Sequence, residues 1–445
     1  MAVEWEKEML DLVGEAGFYL DSERREKLSK DYYWYSPILE QRLKDKRAEA
    51  IAVPNSEADI PAILSCAYSH KIPVTVRGAG TGNYGQAVPL NGGIVMDLSR
   101  LNDIVETGDG YVRVQCGVKL GALEKYLRER DQELCIYPST YLKATVGGFV
   151  SGGSGGIGSI TWGNLWDGNV LAAVVYTLEA EPRRLVVEGD DLKSYIHSYG
   201  TAGVVSELTI RTAPKTEWVQ SIVQCPDLKA AMQFAEQLSR DHEIGKRLVS
   251  VSEWPIPSYF IPFAKYMDEG ATAVLLETAD GSLPSVEAHA QLFGGSIKHT
   301  IPADKYHRGM GLSDFTWNHT TLWALKNDST LTYLQAGFTA ARYVEQIEEI
   351  RANFPDEVLL HFEWITASGQ LTPASLPIVR FQSEERLYEI IAFLESIGVR
   401  VNDPHTYVLD YGTRGAYENM LKRKAANDPL GLLNPGKINM NPMFS

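Results

Sequence analysis

The sequence predicts an α+β protein in two parts: a glycine-rich first half of alternating strands and helices, and a second half built as an antiparallel sheet covered by helices. Three observations predict it. The chain has 445 residues, 44% of them hydrophobic, enough to bury two cores. Its first glycine-rich loop joins strand to strand. From about Thr216 onward, strand-like and helix-like runs recur in an order that suits helices laid on an antiparallel sheet.

Composition narrows the partners. A net charge of -15 leaves no basic surface to neutralise phosphates, so no nucleic acid is expected. The start, Met1-Ala-Val-Glu-Trp-Glu-Lys7, is charged and lacks a signal-peptide pattern. No apolar run approaches the ~18 residues of a membrane span, so no transmembrane segment is expected. Cys66, Cys116, Cys135 and Cys225 are scattered without a C-x-x-C and read as reduced thiols of a cytoplasmic protein.

Residues 50–77 read as strand, helix, strand. Ala50–Val53 is a short apolar run, Ser56 is the expected N-cap, and Ile60, Ile63, Leu64 and Ala67 have helical spacing. Lys71–Val76 is β-rich and leads into Arg77-Gly-Ala-Gly-Thr-Gly-Asn-Tyr-Gly85. Gly80, Gly82 and Gly85 match G-x-G-x-x-G. A nicotinamide-dinucleotide fingerprint needs a helix to open on the last glycine. Here Gln86-Ala-Val-Pro89-Leu-Asn-Gly92-Gly93 follows, which carries no stable helix, and Gly93–Leu98 is another strand. The loop therefore reads as a nest of backbone N–H groups for an anion, with Arg77 and Thr81 as added donors.

Further along, a hairpin (104–106 and 111–115) turns at Gly108-Asp-Gly110, and a helix carries Leu120, Leu123 and Leu127. Tyr137-Pro-Ser-Thr140 precedes Ala144–Ser159, which has seven glycines in sixteen residues; such density lets a ligand approach the backbone closely. Ser198-Tyr-Gly-Thr-Ala-Gly-Val-Val-Ser206 is a third glycine turn before an apolar run.

These pieces resemble the FAD-binding domain of the FAD-linked oxidase superfamily, the vanillyl-alcohol oxidase / p-cresol methylhydroxylase type that includes glycolate oxidase subunits and D-lactate dehydrogenases. Arg77–Gly85 resembles its pyrophosphate loop, and Ala144–Gly148 with Gly152–Gly158 its second flavin-contact segment. Gly200-Thr-Ala-Gly203 resembles its G-T-x-G turn, and Asp428-Pro-Leu-Gly-Leu-Leu-Asn-Pro-Gly-Lys-Ile438 its C-terminal signature. The match covers about residues 45–215 and 410–440. It implies a two-part FAD-binding domain at 1–215, a substrate (cap) domain at 216–412, and a segment at 413–445 that returns to the FAD-binding domain. The implied cofactor contacts are Arg77, Gly78, Ala79, Gly80, Thr81, Gly82, Asn83, Tyr84, Gly85 and Gln86 in the loop. Pro138, Thr145, Gly147, Gly148, Ser151, Gly155, Gly158 and Ser159 follow in the second segment, then Gly203, Val204 and Asn434. The family often links its flavin to a histidine near the loop. Here no histidine lies between His70 and His197, so non-covalent FAD is expected.

In the second half, strands are expected at 218–224, 246–252, 271–277, 331–338, 357–366 and 376–381, and helices at 230–238, 285–292, 341–353 and 384–397. Ser313–Trp323 reads as an irregular connection that sets two tryptophans around His319. His361 and Glu363 share one face of a strand. His405 and Tyr407 precede the tail, and Arg380 is a charge inside an apolar strand that needs a partner.

The chemistry implied by the resemblance is hydride transfer from an alcohol or 2-hydroxy acid to flavin N5, with a near-neutral histidine as base. His319, His361 and His405 are the candidates in that order, with Tyr407 to orient the hydroxyl and Arg380 to bind an acid. Many 2-hydroxy-acid members carry a metal segment, H-x-G-D-G-N-x-H. It has no counterpart here, so no metal is expected and sugars, polyols and aromatic alcohols join the substrate range. The partners expected are a small-molecule substrate and an electron-acceptor protein. The alternatives are an NAD(P)H-dependent flavin reductase on a related scaffold, and a non-catalytic FAD-binding subunit of an electron-transfer complex.

Overall fold

The computed structural model describes residues 4–409 and 417–439, a mixed helix and sheet protein. The first sheet has the order Phe18–Tyr19, Ala50–Ala52, Ile94–Asp97, Val74–Arg77. Its last three strands are parallel, with Ala50 and Val74 both registered on Ile94. Ala50–Ala52 is buried at every residue, as a strand covered on both faces should be. The crossover helix Asp59–Ser69 buries Ile60, Ile63, Leu64 and Ala67 against Ala50, Val74, Ile94 and Met96. Ser56 is not its N-cap. The Asp59 carboxylate instead accepts from Asn55 N at 2.7 Å and Ser56 N at 3.1 Å, which closes the first turn three residues later.

The second sheet is antiparallel and centres on the long strand Val204–Pro214. That strand pairs with Tyr111–Gln115 on one side and Val170–Tyr176 on the other, and its far end meets Gln132–Leu134. The hairpin Ile104–Gly108 / Tyr111–Gln115 forms at the expected turn, with Gly110 at φ 78°.

The second half forms an eight-stranded antiparallel sheet. Its order is Ser296–Ile301, Trp218–Cys225, Thr272–Ala279, Lys246–Ser252, His361–Ala367, Gln370–Ser375, Gln335–Gly337, Arg400–Asn402. The helices Leu228–Arg240, Leu283–Leu292, Tyr343–Asn353 and Glu384–Ser396 cover one face, where Phe234, Val286, Ile350 and Ile390 join Val249, Val274 and Phe362. Strand alternation sends Leu248, Leu275 and Ile222 the other way, into the cluster that holds Val112, Leu123 and Tyr137 of the first half. The two halves thus share a core.

Three expectations fail locally. Residues 331–338 are two strands, Leu331–Tyr333 and Gln335–Gly337, which pair in different sheets. Residues 357–366 likewise divide at Leu360. The connection 313–323 is helical from Asn318 to Asn327, a polar turn with no apolar period to announce it, fixed by burial of Thr320, Thr321 and Ala324. Near the chain end, Val74 N donates to Leu432 O at 2.8 Å and Asn434 N to Val74 O at 2.7 Å, which lays residues 432–434 beside the Val74–Arg77 strand. The expected boundary at 412/413 lies outside the described residues.

Candidate functional site

A cavity of about 880 Å³ opens between the glycine segments of the first half and the sheet of the second. The size suits a small-molecule or cofactor site. Its first wall is Arg77–Tyr84 with Gln86, followed by Gly147, Gly148 and Ser151–Gly155, then Tyr199, Gly200 and Gly203. The backbone N–H groups of Gly78 through Asn83 donate to no protein acceptor among the described residues. A row of unspent donors in a half-exposed loop is an anion-binding nest. The loop is packed to stay open. A Cβ on Gly78 would stand 2.2 Å from Thr145 Oγ1, and one on Gly80, at φ 65°, 2.0 Å from the Arg77 guanidinium. These groups fit a diphosphate between two glycine segments, with room beyond it for a ring system.

The loop is tied from behind. Gln86 accepts from Tyr84 N at 2.9 Å through Oε1 and donates to Gly152 O at 3.3 Å through Nε2. Asn434 Nδ2 donates to Gln86 O at 2.9 Å and Tyr199 O at 2.8 Å, so the C-terminal segment clamps two of the three glycine pieces. Lys437, fully buried, donates to Gly85 O. Burial pushes the Lys437 ammonium down and the Asp31 carboxyl up, and each charge partly offsets this for the other. Arg77 differs from expectation: its Nη1 donates to Leu28 O at 3.1 Å and Lys30 O at 2.7 Å, so the guanidinium braces the N-terminal segment.

Of the other expected contacts, Ala79, Thr81, Pro138 and Thr145 line the cavity, while Gly85, Gly158, Ser159, Val204 and Asn434 do not. Gly158, at φ 100°, permits contact with the second half: its N donates to Arg247 O at 2.8 Å, and a Cβ there would meet Cys135 O at 1.9 Å. Ser159 Oγ accepts from Gly156 N at 3.0 Å. Val204 is buried in the core with Val74 and Ile94.

Of the catalytic candidates, only His319 lines the cavity. Burial, then the charges of Lys326 and Lys143, push its imidazole down to about 4, so it is neutral at physiological pH and lies below the near-neutral range expected for the base. Its Nδ1 is enclosed without a partner, which leaves Nε2 as the reachable nitrogen. His361 is fully buried within the sheet, 2.9 Å from Glu363 Oε1 and 3.2 Å from Ser250 Oγ. His405 is also buried; Nδ1 lies 2.7 Å from Ser36 Oγ, and Nε2 donates to Tyr333 O at 2.9 Å. With both nitrogens engaged it has none for a substrate. Tyr407 packs with Leu39, Leu43 and Val88, away from the cavity lining. Arg380 pairs with Asp328 at 3.2 Å on the surface. The sequence gives a histidine's neighbours along the chain; it does not give those across a sheet.

Other lining residues escaped the sequence reading. Asp31, Tyr32 and Tyr35 come from the N-terminal segment, where the aromatic run Tyr32-Tyr-Trp-Tyr35 was the available signal. His197 lies just before the third glycine turn, with Nδ1 2.9 Å from Gly153 O. Opposite them stand Gln335, Ser375 and Arg400, with Trp317 and Asn318 beside the expected His319. Gln335 donates to Tyr84 OH and so joins the two walls. Among the described residues, Glu8, Cys66 and His70 bring possible metal-ligand atoms within 4.8 Å of one another, and none of them lines the cavity.

Residues 48–181 match the family described as "FAD binding domain". The chain is 30% identical over 173 residues to glycolate oxidase subunit GlcD of Escherichia coli, covering 37% of this chain and 34% of that protein. It thus spans about a third of the length of that relative. The GlcD of Bacillus subtilis is 24% identical over 422 residues, covering 88% of both chains. The D-2-hydroxyglutarate dehydrogenase of Escherichia coli is 39% identical over 126 residues, covering 27% of this chain and 12% of that protein. Among solved structures, alkyldihydroxyacetonephosphate synthase superposes with a TM-score of 0.76 over 98% of this chain and 86% of that one, at 14% identity, a likeness of fold. The chain carries an FAD-binding domain, and its cofactor is FAD. In sequence it is similar to FAD-linked oxidases and dehydrogenases.

Proposed function

We propose that the protein is an FAD-dependent oxidoreductase that oxidises the CH–OH group of a small alcohol or 2-hydroxy acid. In this reading residues 1–215 and 413–445 hold FAD and 216–412 present the substrate. The observation that carries it is the cavity itself: unspent loop amides on one wall, and a neutral histidine among aromatics on the other. The names of the relatives, for glycolate and 2-hydroxyglutarate, supply the substrate class.

FAD, when bound, supplies the two-electron acceptor. The Gly78–Asn83 amides hold its diphosphate. His319 takes the substrate hydroxyl proton at Nε2, and Trp317 beside it excludes water. FAD is held non-covalently: the loop has no histidine, and Cys116, though it borders the cavity, is packed against Gly147 with its thiol pushed up to about 12 by burial. Acid precipitation should therefore leave the yellow colour in the supernatant.

The test is anaerobic bleaching of the flavin by a panel of hydroxy acids, sugars, polyols and aromatic alcohols. One class should bleach it, and His319→Ala should keep the flavin spectrum but slow bleaching by about 10²–10⁴-fold, the usual worth of a positioned base. Bleaching by NAD(P)H alone would assign a reductase. No bleaching, with an electron-carrier protein co-purifying, would assign a non-catalytic subunit.

A further inference from the structure

Trp317 stands on the cavity wall with φ 54° and ψ −138°, a backbone conformation that suits glycine and strains any other residue. Such residues persist where their surroundings over-determine them. The constraint here is one carboxylate. Trp317 N donates to Glu363 Oε1 at 2.7 Å. The same oxygen accepts from the Ser250 hydroxyl at 3.0 Å and from His361 Nε2 at 2.9 Å. Thr320 Oγ1, which donates to Phe315 O at 2.7 Å, also lies 3.2 Å from His361 Nε2. Ser250 and Glu363 are register partners in the sheet, and Thr320 is in the first turn of the helix that Trp317 caps. The cluster is buried, with His361 Nδ1 left without a partner among the described residues, and it fastens that helix to the sheet.

Glu363, His361, Ser250 and Thr320 do not line the cavity, whereas Trp317, Asn318 and His319, which precede Thr320, do. In those three neighbours Trp317 Nε1, Asn318 Oδ1 and His319 Nδ1 are buried with no hydrogen-bond partner among the described residues. Buried polar atoms are normally paired. A strained residue and three unpaired polar atoms in succession mark a segment held for a purpose other than packing.

We propose that Glu363 is a positioning residue: by holding the Trp317 N–H in the strained conformation, it aims Trp317, Asn318 and His319 at the substrate, with His361 orienting its carboxylate. This inference rests on the reading of the cavity as an FAD and substrate site. It also gives His361 a role one step removed from the chemistry.

The test compares Glu363→Ala, which removes the acceptor, with Glu363→Gln, which keeps one. Two quantities are read: flavin reduction by the substrate that bleaches the wild type, and titration of the His319 imidazole by NMR. In Glu363→Ala, FAD binding should be unchanged, because the loop amides are on the opposite wall. Reduction should slow about a hundredfold, the cost of misplacing a reacting group. The His319 midpoint should rise from about 4 toward the ordinary 6.5 as water reaches the loosened turn. Glu363→Gln should restore both. If Glu363→Ala does not fold, Glu363→Asp carries the same test, since it keeps the carboxyl group but withdraws the oxygen by one methylene. An unchanged rate and midpoint in the acceptor-deficient variant would overturn the proposal, as would a Gln variant as impaired as Ala. If no compound bleaches the wild type, the proposed activity fails, while the NMR arm still decides the role of Glu363.

Discussion

A methyl group on Gly78 is a small change with a defined consequence. It would stand 2.2 Å from Thr145 Oγ1, so either the loop or the second glycine segment must move. Gly78→Ala should fold, because the cores lie elsewhere, yet lose FAD affinity by at least about tenfold, or ~1.4 kcal/mol. Titration of the apoprotein with FAD checks this; an unchanged affinity would remove the loop from the site. Glycines whose role is backbone access are legible in sequence because no other residue type can replace them there. Histidines are not. His319, His361 and His405 all sit among aromatic and apolar residues, and only tertiary partners separate the one in the cavity from the two enclosed elsewhere. The strain at Trp317, worth about 1–3 kcal/mol, left no trace in residue type, since glycine is what the conformation favours.

Among the elements, the segment around Asn434 carries weight beyond its length. It lies beside the Val74–Arg77 strand through hydrogen bonds from Val74 N and Asn434 N, and Asn434 Nδ2 reaches two glycine pieces at once. Asn434→Ala should withdraw one donor from the Gln86 carbonyl and one from the Tyr199 carbonyl and destabilise the fold by about 1–3 kcal/mol. FAD should then raise the unfolding midpoint less than in the wild type; an equal increment would show that the clamp does not reach the loop. This element was legible only through its resemblance to the superfamily's C-terminal signature. The second half was legible where strands run long and apolar, as at Trp218–Cys225 and Thr272–Ala279. It was not legible at 331–338, because one apolar run feeds two sheets and only their pairing divides it.

For the whole molecule, among the described residues, the two halves share a core and leave a cavity between their walls, joined by Gln335 to Tyr84 and by Gly158 N to Arg247 O. No helix among the described residues is long and apolar enough to cross a membrane. The fold class and the glycine wall could be read from sequence because each is set by local residue type. The opposite wall could be read only at His319 and the neighbouring Trp317, because Gln335 and Arg400 meet there through sheet order. The central claim is that the Gly78–Asn83 amides bind the diphosphate of FAD. The most direct measurement is calorimetric titration of the flavin-free protein with FAD and, separately, with riboflavin, which has the same ring system and no phosphate. The account predicts one saturable FAD site and riboflavin binding weaker by about a hundredfold or more, ~2.8 kcal/mol. Equal affinities for the two flavins, or no uptake of FAD, would contradict it.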